Sequence, residues 1–247
     1  MVLAVVLACA MLLGFIPLAS AGALSIASAL LMVSREHRHS LSWRVVLMIP
    51  ALMLLLFAAI YRPKGFFYPE LLSFFRQDQL IIVRWNLSKT IGAAVIIYLF
   101  WDLIEQSFRK TKLKNILMWS ALGCAFAFTI GLALFGEAQA ELTSSVMAFI
   151  FVNVLISVLP EEIFFRTLIQ QRLERRFTSK PARAVILLLM GALFAISHSA
   201  FTLGSFVLFF LAGFLYALAF RQTQSVFCAI ACHWAVNVTH VTCFPHF

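Results

Sequence analysis

Three short patterns in the C-terminal half of this chain place ionisable or amide side chains inside otherwise apolar runs. They are Leu159-Pro160-Glu161-Glu162-Ile163-Phe164-Phe165-Arg166, Phe194-Ala195-Ile196-Ser197-His198 and His233-Trp234-Ala235-Val236-Asn237. A charged group at membrane depth is costly, so it usually has a partner or a task. On a helix, residues four apart share a face and adjacent residues point about 100° apart. Glu162 and Arg166 are therefore expected to pair, while Glu161 points elsewhere and is left to face a cavity. A carboxylate so placed can serve as a general base or acid. From this segment alone the other reading stays open, that both carboxylates pair with Arg166 or with other groups of the bundle. Pro160 removes a backbone hydrogen bond, and a kink there would open room for water.

His198 taken alone reads equally as a hydrogen-bonded core residue. His233 and Asn237 lie four apart and offer two donors toward one point, which suits an oxyanion. Together, Glu161, His198, His233 and Asn237 on three separate helices suffice to activate water and stabilise a tetrahedral intermediate. The same residue types also take zinc. The chain has no His-Glu-x-x-His, and no Gly-x-Ser-x-Gly or catalytic-Asp signature, which disfavours zincin-like and serine-type proteases. Cys228, Cys232 and His233 have helical spacing that could join a metal site, but small packing residues in a membrane helix is the preferred reading. Asp102 reads as a solvated helix flank, and His240 and His246 as interfacial.

The elements that must carry these residues are membrane helices. Of 247 residues, 63% are hydrophobic and only 12% charged, and the mean hydropathy is +0.98. Soluble domains carry about 25% charged residues, so lipid is the natural solvent. Apolar runs near 2–33, 45–61, 80–104, 116–135, 146–171, 184–201, 203–220 and 225–243 predict an all-α polytopic bundle of about eight membrane helices. The first run lacks a basic leader and is too long for an ordinary signal peptide, so it is read as a helix bent or broken near Pro17. The gap 62–79, with Pro63, Gly65 and Pro69, reads as interfacial.

The formal charge of +9 sits in short gaps between the runs. It reads as topology signal and phospholipid contact, not nucleic-acid binding, since no basic stripe with interleaved aromatics occurs. Arg172, Arg175, Arg176, Lys180 and Arg183 place one gap in the cytoplasm, and Arg109, Lys110, Lys112 and Lys114 another. The gap 136–145, with Glu137, Glu141 and no basic residue, should face outside. Arg62, Lys64 and Arg76 in the gap 62–79 break this alternation, which a re-entrant or interfacial piece would explain. The five cysteines lie in or beside apolar runs and read as buried thiols.

At this point the chain resembles the CPBP family, the CAAX protease and bacteriocin-processing or Abi family, which includes the Ras-converting CAAX endopeptidase. Glu161-Glu162-x-x-x-Arg166, Phe194-x-x-x-His198 and His233-x-x-x-Asn237 match its three motifs in order, over a domain of roughly 146–243. Residues 1–145 carry membrane helices of unassigned role. The resemblance implies that Glu161 with His198 activates the attacking water and that His233 with Asn237 forms the oxyanion site. Glu162, Arg166 and Phe194 would be structural support. It implies a glutamate-type intramembrane endopeptidase without a committed cofactor, zinc being the alternative the family once carried. Its partners would be membrane lipid and a membrane-associated or lipid-modified protein substrate, and its place an integral, multi-pass position in a bacterial cytoplasmic membrane. Processing of C-terminal tails of exported or lipid-modified proteins is the substrate expectation. A non-catalytic immunity or scaffold protein of the same fold is the alternative. A transporter or channel is a third reading, without the internal repeat that would support it.

Overall fold

The computed structural model describes residues 2–36, 41–76 and 79–244, so His246 lies outside the described residues. The chain is mostly helical. In order it forms α1 (Val2–Leu12), α2 (Leu18–Glu36), α3 (Leu41–Ile60), β1 (Glu70–Arg76), β2 (Gln79–Arg84), α4 (Leu87–Leu99), α5 (Trp101–Arg109) and α6 (Leu113–Phe135). A continuous rod follows, Ser144–Arg176, made of α7 (Ser144–Asn153), a π stretch (Val154–Val158), α8 (Leu159–Glu162), a second π stretch (Ile163–Gln170) and α9 (Gln171–Arg176). The chain ends in α10 (Lys180–Ser197), α11 (Leu203–Thr223) and α12 (Val226–Cys243).

Among the described residues, six helices are long and apolar enough to cross a bilayer, and the bent pair α4–α5 makes a seventh if it crosses as one span. The chain is an integral, multi-pass membrane helical bundle. Large apolar side chains such as Leu117, Phe151, Leu155, Val185 and Leu188 point outward, which water disfavours and lipid accepts.

Three runs differ in detail from the sequence expectation of about eight spans. The first breaks ahead of Pro17, as expected, and leaves α1 with 11 residues, short of the roughly 20 that a bilayer needs. The run 80–104 does not begin as a helix. Its opening residues, Ile81-Ile82-Val83, are β-branched and favour extended backbone. They pair in β2 with β1 as a two-stranded sheet, so the gap 62–79 holds the first strand of a hairpin. The run 184–201 is shifted. α10 starts at Lys180, where Ser179 accepts the N–H of Ala182 and proline stands in the first turn, and it stops at Ser197.

The chain divides into two compact units, Met1–Ser73 with Ile82–Leu99, and Phe74–Ile81 with Phe100–Phe247. In the first, α2 buries Ser20, Ala23, Leu24, Ala27, Leu31 and Ser34 and packs on α3. Small residues at this spacing let helices approach closely where lipid supplies no hydrophobic drive between them. The buried Tyr68 hydroxyl meets Ser88 Oγ at 3.4 Å.

In the second unit, α6 lies along α12, and α11 lies against both α10 and α12. Trp119, Gly123, Ala127 and Gly131 form the buried stripe of α6. A methyl group at Gly123 would stand 2.5 Å from the Cys232 carbonyl oxygen, so only glycine lets α6 lie this near the residue preceding His233. The same device closes α10 on α11. A Cβ at Gly213 would overlap Phe194, and one at Gly191 would reach the Phe210 carbonyl oxygen at 2.8 Å. Thr143, Thr202 and Ser225 cap α7, α11 and α12 with their hydroxyls.

Candidate active site

The rod Ser144–Arg176 carries both glutamates where its winding changes. Pro160 has no N–H for the carbonyl of Ile156 and its ring crowds that group, which the wide turns of Val154–Val158 accommodate. π turns inside α-helices occur mostly at functional sites. The short α8 between the two wide stretches holds Glu161 and Glu162, both buried.

Glu162 and Arg166 pair as expected, with Arg166 Nε donating to Glu162 Oε2 at 2.7 Å and neither side chain exposed. The second oxygen does more than the sequence indicated. Glu162 Oε1 lies 2.9 Å from His233 Nδ1. A carboxylate held by a guanidinium is ionised and only accepts, so Nδ1 carries the proton. Glu162 thereby orients the His233 ring, and His233 Nε2 stands 3.9 Å from Glu161 Oε2.

His198 is the C-cap of α10, where helix carbonyls lack their usual partners. Its Nδ1 lies 2.9 Å from the Phe194 carbonyl oxygen, an acceptor, so this nitrogen too is the donor. His198 Nε2 then faces Glu161 Oε2 at 3.6 Å. The ring is the most open of the three, 26% exposed against 5% for His233 and 8% for Glu161. Glu161 Oε1 accepts from Ser157 Oγ at 3.1 Å, one turn back on the same rod.

The structure thus brings Glu161, Glu162, Arg166, His198 and His233 together. Phe194 is the hub of the apolar wall. Its ring meets His198 at 4.3 Å, Tyr216 at 5.5 Å and His233 at 5.6 Å between centroids. Tyr216 stacks on His233 at 4.3 Å and Phe209 on His198 at 4.7 Å. Asn237 is half-buried on the His233 face of α12, and its Nδ2 donates to Asn153 Oδ1 at 3.0 Å. Its amide keeps a second N–H after that bond.

Five residues around the site carry no expectation from the sequence: Asn153, Ser157, Phe209, Tyr216 and Gln170. Asn153 and Ser157 had a signal, since they stand eight and four residues before Glu161 in an apolar run. Gln170 likewise follows Arg166 by four. Phe209 and Tyr216 had none, because an aromatic residue in a membrane helix reads as packing. Asp102 is exposed in the first turn of α5, in keeping with a solvated flank. His240 is half-buried beside Phe135 and Phe244.

Cys228 and Cys232 are buried among Trp119, Phe165, Phe194 and Tyr216. All five cysteines are free thiols, but Cys9 and Cys124 are exposed, contrary to the expectation of burial; thiols are small and apolar enough to face lipid. Glu161, His198 and His233 are donor types that zinc accepts, yet among the described residues no group of three or more His, Cys, Asp or Glu side chains is arranged to hold a metal.

Residues 143–239 match the family model of the type II CAAX prenyl endopeptidase Rce1-like proteins. This segment is an Rce1-like domain. The match starts at Thr143, the cap of α7, and ends in the last turns of α12, so it encloses all three motifs. No curated protein and no solved structure matches the chain. The Rce1-like family is one of intramembrane proteases, whose substrates are proteins, and the buried cluster of Glu161, Glu162 and His233 fits an active site of that kind.

Proposed function

We propose that the protein is an intramembrane endopeptidase that hydrolyses a peptide bond near the membrane by glutamate-type chemistry. The observation that carries this reading is the approach of two imidazole Nε2 atoms to one oxygen of a buried glutamate, at 3.6 and 3.9 Å. Each ring has its other nitrogen committed to an acceptor, so both present the same face to Glu161. Water seated among these three groups is polarised for attack. Glu161 with His198 takes its proton as the oxygen adds to the scissile carbonyl. The tetrahedral oxyanion is met by the second N–H of Asn237 and by His233. His233 serves there once a solvent proton has bound Nε2, with Glu162 as the counter-charge, and that proton goes back to solvent when the carboxylate product leaves. Return of the proton to the leaving nitrogen breaks the C–N bond and releases a carboxylate and an amine.

Residues 146–243 act as the catalytic domain in this reading, and residues 1–145 as membrane helices without an assigned part in the chemistry. The substrates are C-terminal tails of exported or lipid-modified proteins, and the site of action is a bacterial cytoplasmic membrane. The test compares cells carrying wild type with cells carrying Glu161→Gln, which keeps the shape and removes the base. Mass spectrometry of membrane and secreted proteins should find C-terminal or juxtamembrane fragments only with the wild type. Matching fragment sets, with both proteins inserted and expressed, would turn the reading toward a non-catalytic immunity or scaffold protein.

A further inference from the structure

From Glu162 the rod continues a line of buried polar groups whose far members the reaction does not itself use. Glu162, Arg166, Gln170 and Glu174 stand four residues apart, the first three 0% exposed and Glu174 8%. Arg166 Nη1 donates to Gln170 Oε1 at 2.9 Å. Gln170 Nε2 donates to Glu174 Oε1 at 2.9 Å and to the Ala217 carbonyl at 2.8 Å. Glu174 Oε2 accepts from Gln224 Nε2 at 3.3 Å. Gln224 is the left-handed cap of α11, at the corner from which α12 departs.

The polarity of this ladder has one solution. The Ala217 carbonyl can only accept, so the amide nitrogen of Gln170 faces it, and the same nitrogen donates to Glu174 Oε1. The amide oxygen must then face Arg166, which can only donate. A flipped amide would set donors against donors. With Nη1 held there, Arg166 presents Nε to Glu162 Oε2, which leaves Oε1 for the Nδ1–H of His233. The ladder therefore meets His233 through Glu162 at one end and is tied to the α11–α12 corner through Gln224 at the other.

We propose that Gln170 and Glu174 are positioning residues for the reaction. By fixing the polarity of the ladder they hold Arg166 and Glu162 so that His233 keeps its proton on Nδ1 and turns Nε2 toward Glu161. The proposal rests on the reading of Glu161 and His233 as the reacting groups, and its first readout does not depend on turnover.

The experiment uses the full chain in lipid nanodiscs with ¹⁵N-labelled histidine, the His233 signals being assigned by their loss in His233→Gln. At a pH where the ring is neutral, the wild type should show a protonated Nδ1 and an unprotonated Nε2. Gln170→Met keeps length and volume but removes the acceptor for Arg166 and both donors. It should give a mixture of the two ring tautomers, and kcat lower by about 10–100-fold with KM little changed, the size of loss seen when outer-shell orienting groups are removed. A ring signal unchanged in folded Gln170→Met overturns the proposal, because a ladder that only ties helices together would leave the tautomer alone. If Gln170→Met does not insert, Gln170→Leu removes the same acceptor and donors, and an unchanged ring there overturns it equally. A tautomer that moves in a protein without hydrolytic activity would sustain the ladder and remove the peptidase reading.

Discussion

Gly213→Ala adds a single methyl group to α11, outside the reacting groups, and it should cost both stability and catalysis. The new Cβ would overlap Phe194 Cβ and stand 2.8 Å from Phe194 Cγ. Carbon atoms settle at about 3.5 Å or more, so the two helices must part by about 0.7 Å at Cγ (3.5 − 2.8) and by more at Cβ. Parting α11 from α10 also opens the contact of Gly191 with the Phe210 backbone in the same seam. Forcing extra volume into a packed contact costs about 1–3 kcal/mol, readable as an earlier unfolding midpoint in detergent. Phe194 also packs its ring at a tilt on His198 and edges His233, so its displacement carries both rings with it. A misplacement on the order of 1 Å at reacting groups costs about 10²-fold in rate. The assay is kcat on a tail peptide identified from the fragment comparison, measured beside the unfolding midpoint. A lower midpoint with unchanged kcat would refute the claim that the Phe194 stack sets the positions of the two rings. An unchanged midpoint would refute the packing argument itself.

Three further outcomes are expected. Asn237→Ala should lower kcat by roughly 10²–10³ if its amide meets the oxyanion, and unchanged turnover would remove it from the site. Glu162→Gln leaves Arg166 buried without its charge partner and should cost about 3–5 kcal/mol; adding Arg166→Met should recover most of that stability in the same unfolding assay but not activity, since His233 still lacks its carboxylate. Hydrolysis run by Glu161 and His198 should survive a chelator, and loss of turnover that zinc reverses would place a metal in the reaction.

Much of this protein follows from the sequence by short-range rules. The excess of apolar residues leaves lipid as the solvent, and a helix in lipid satisfies its own backbone, so a multi-pass helical bundle follows without any knowledge of packing. The pairing of Glu162 with Arg166 was legible for the same reason, since helical periodicity alone sets residues four apart side by side. The break at Pro17 and the disturbance at Pro160 come from the chemistry of one ring. The hairpin was harder to read, because Ile81, Ile82 and Val83 are apolar enough for a span and β-branched enough for a strand, and only pairing with β1 decides between them.

Tertiary structure decided everything that depends on two helices meeting. Helical spacing separated Glu161 from Glu162 but could not bring His198 and His233 together at one carboxylate oxygen. That takes the glycine contacts of Gly123, Gly191 and Gly213, whose meaning depends on the atom facing each one. Nor could sequence assign the second oxygen of Glu162 to His233, 71 residues away. The residue types say which chemistry is available, because acidity and donor count belong to single side chains. Which proton faces which atom is a property of distance and direction between helices, and those are fixed only when the bundle packs.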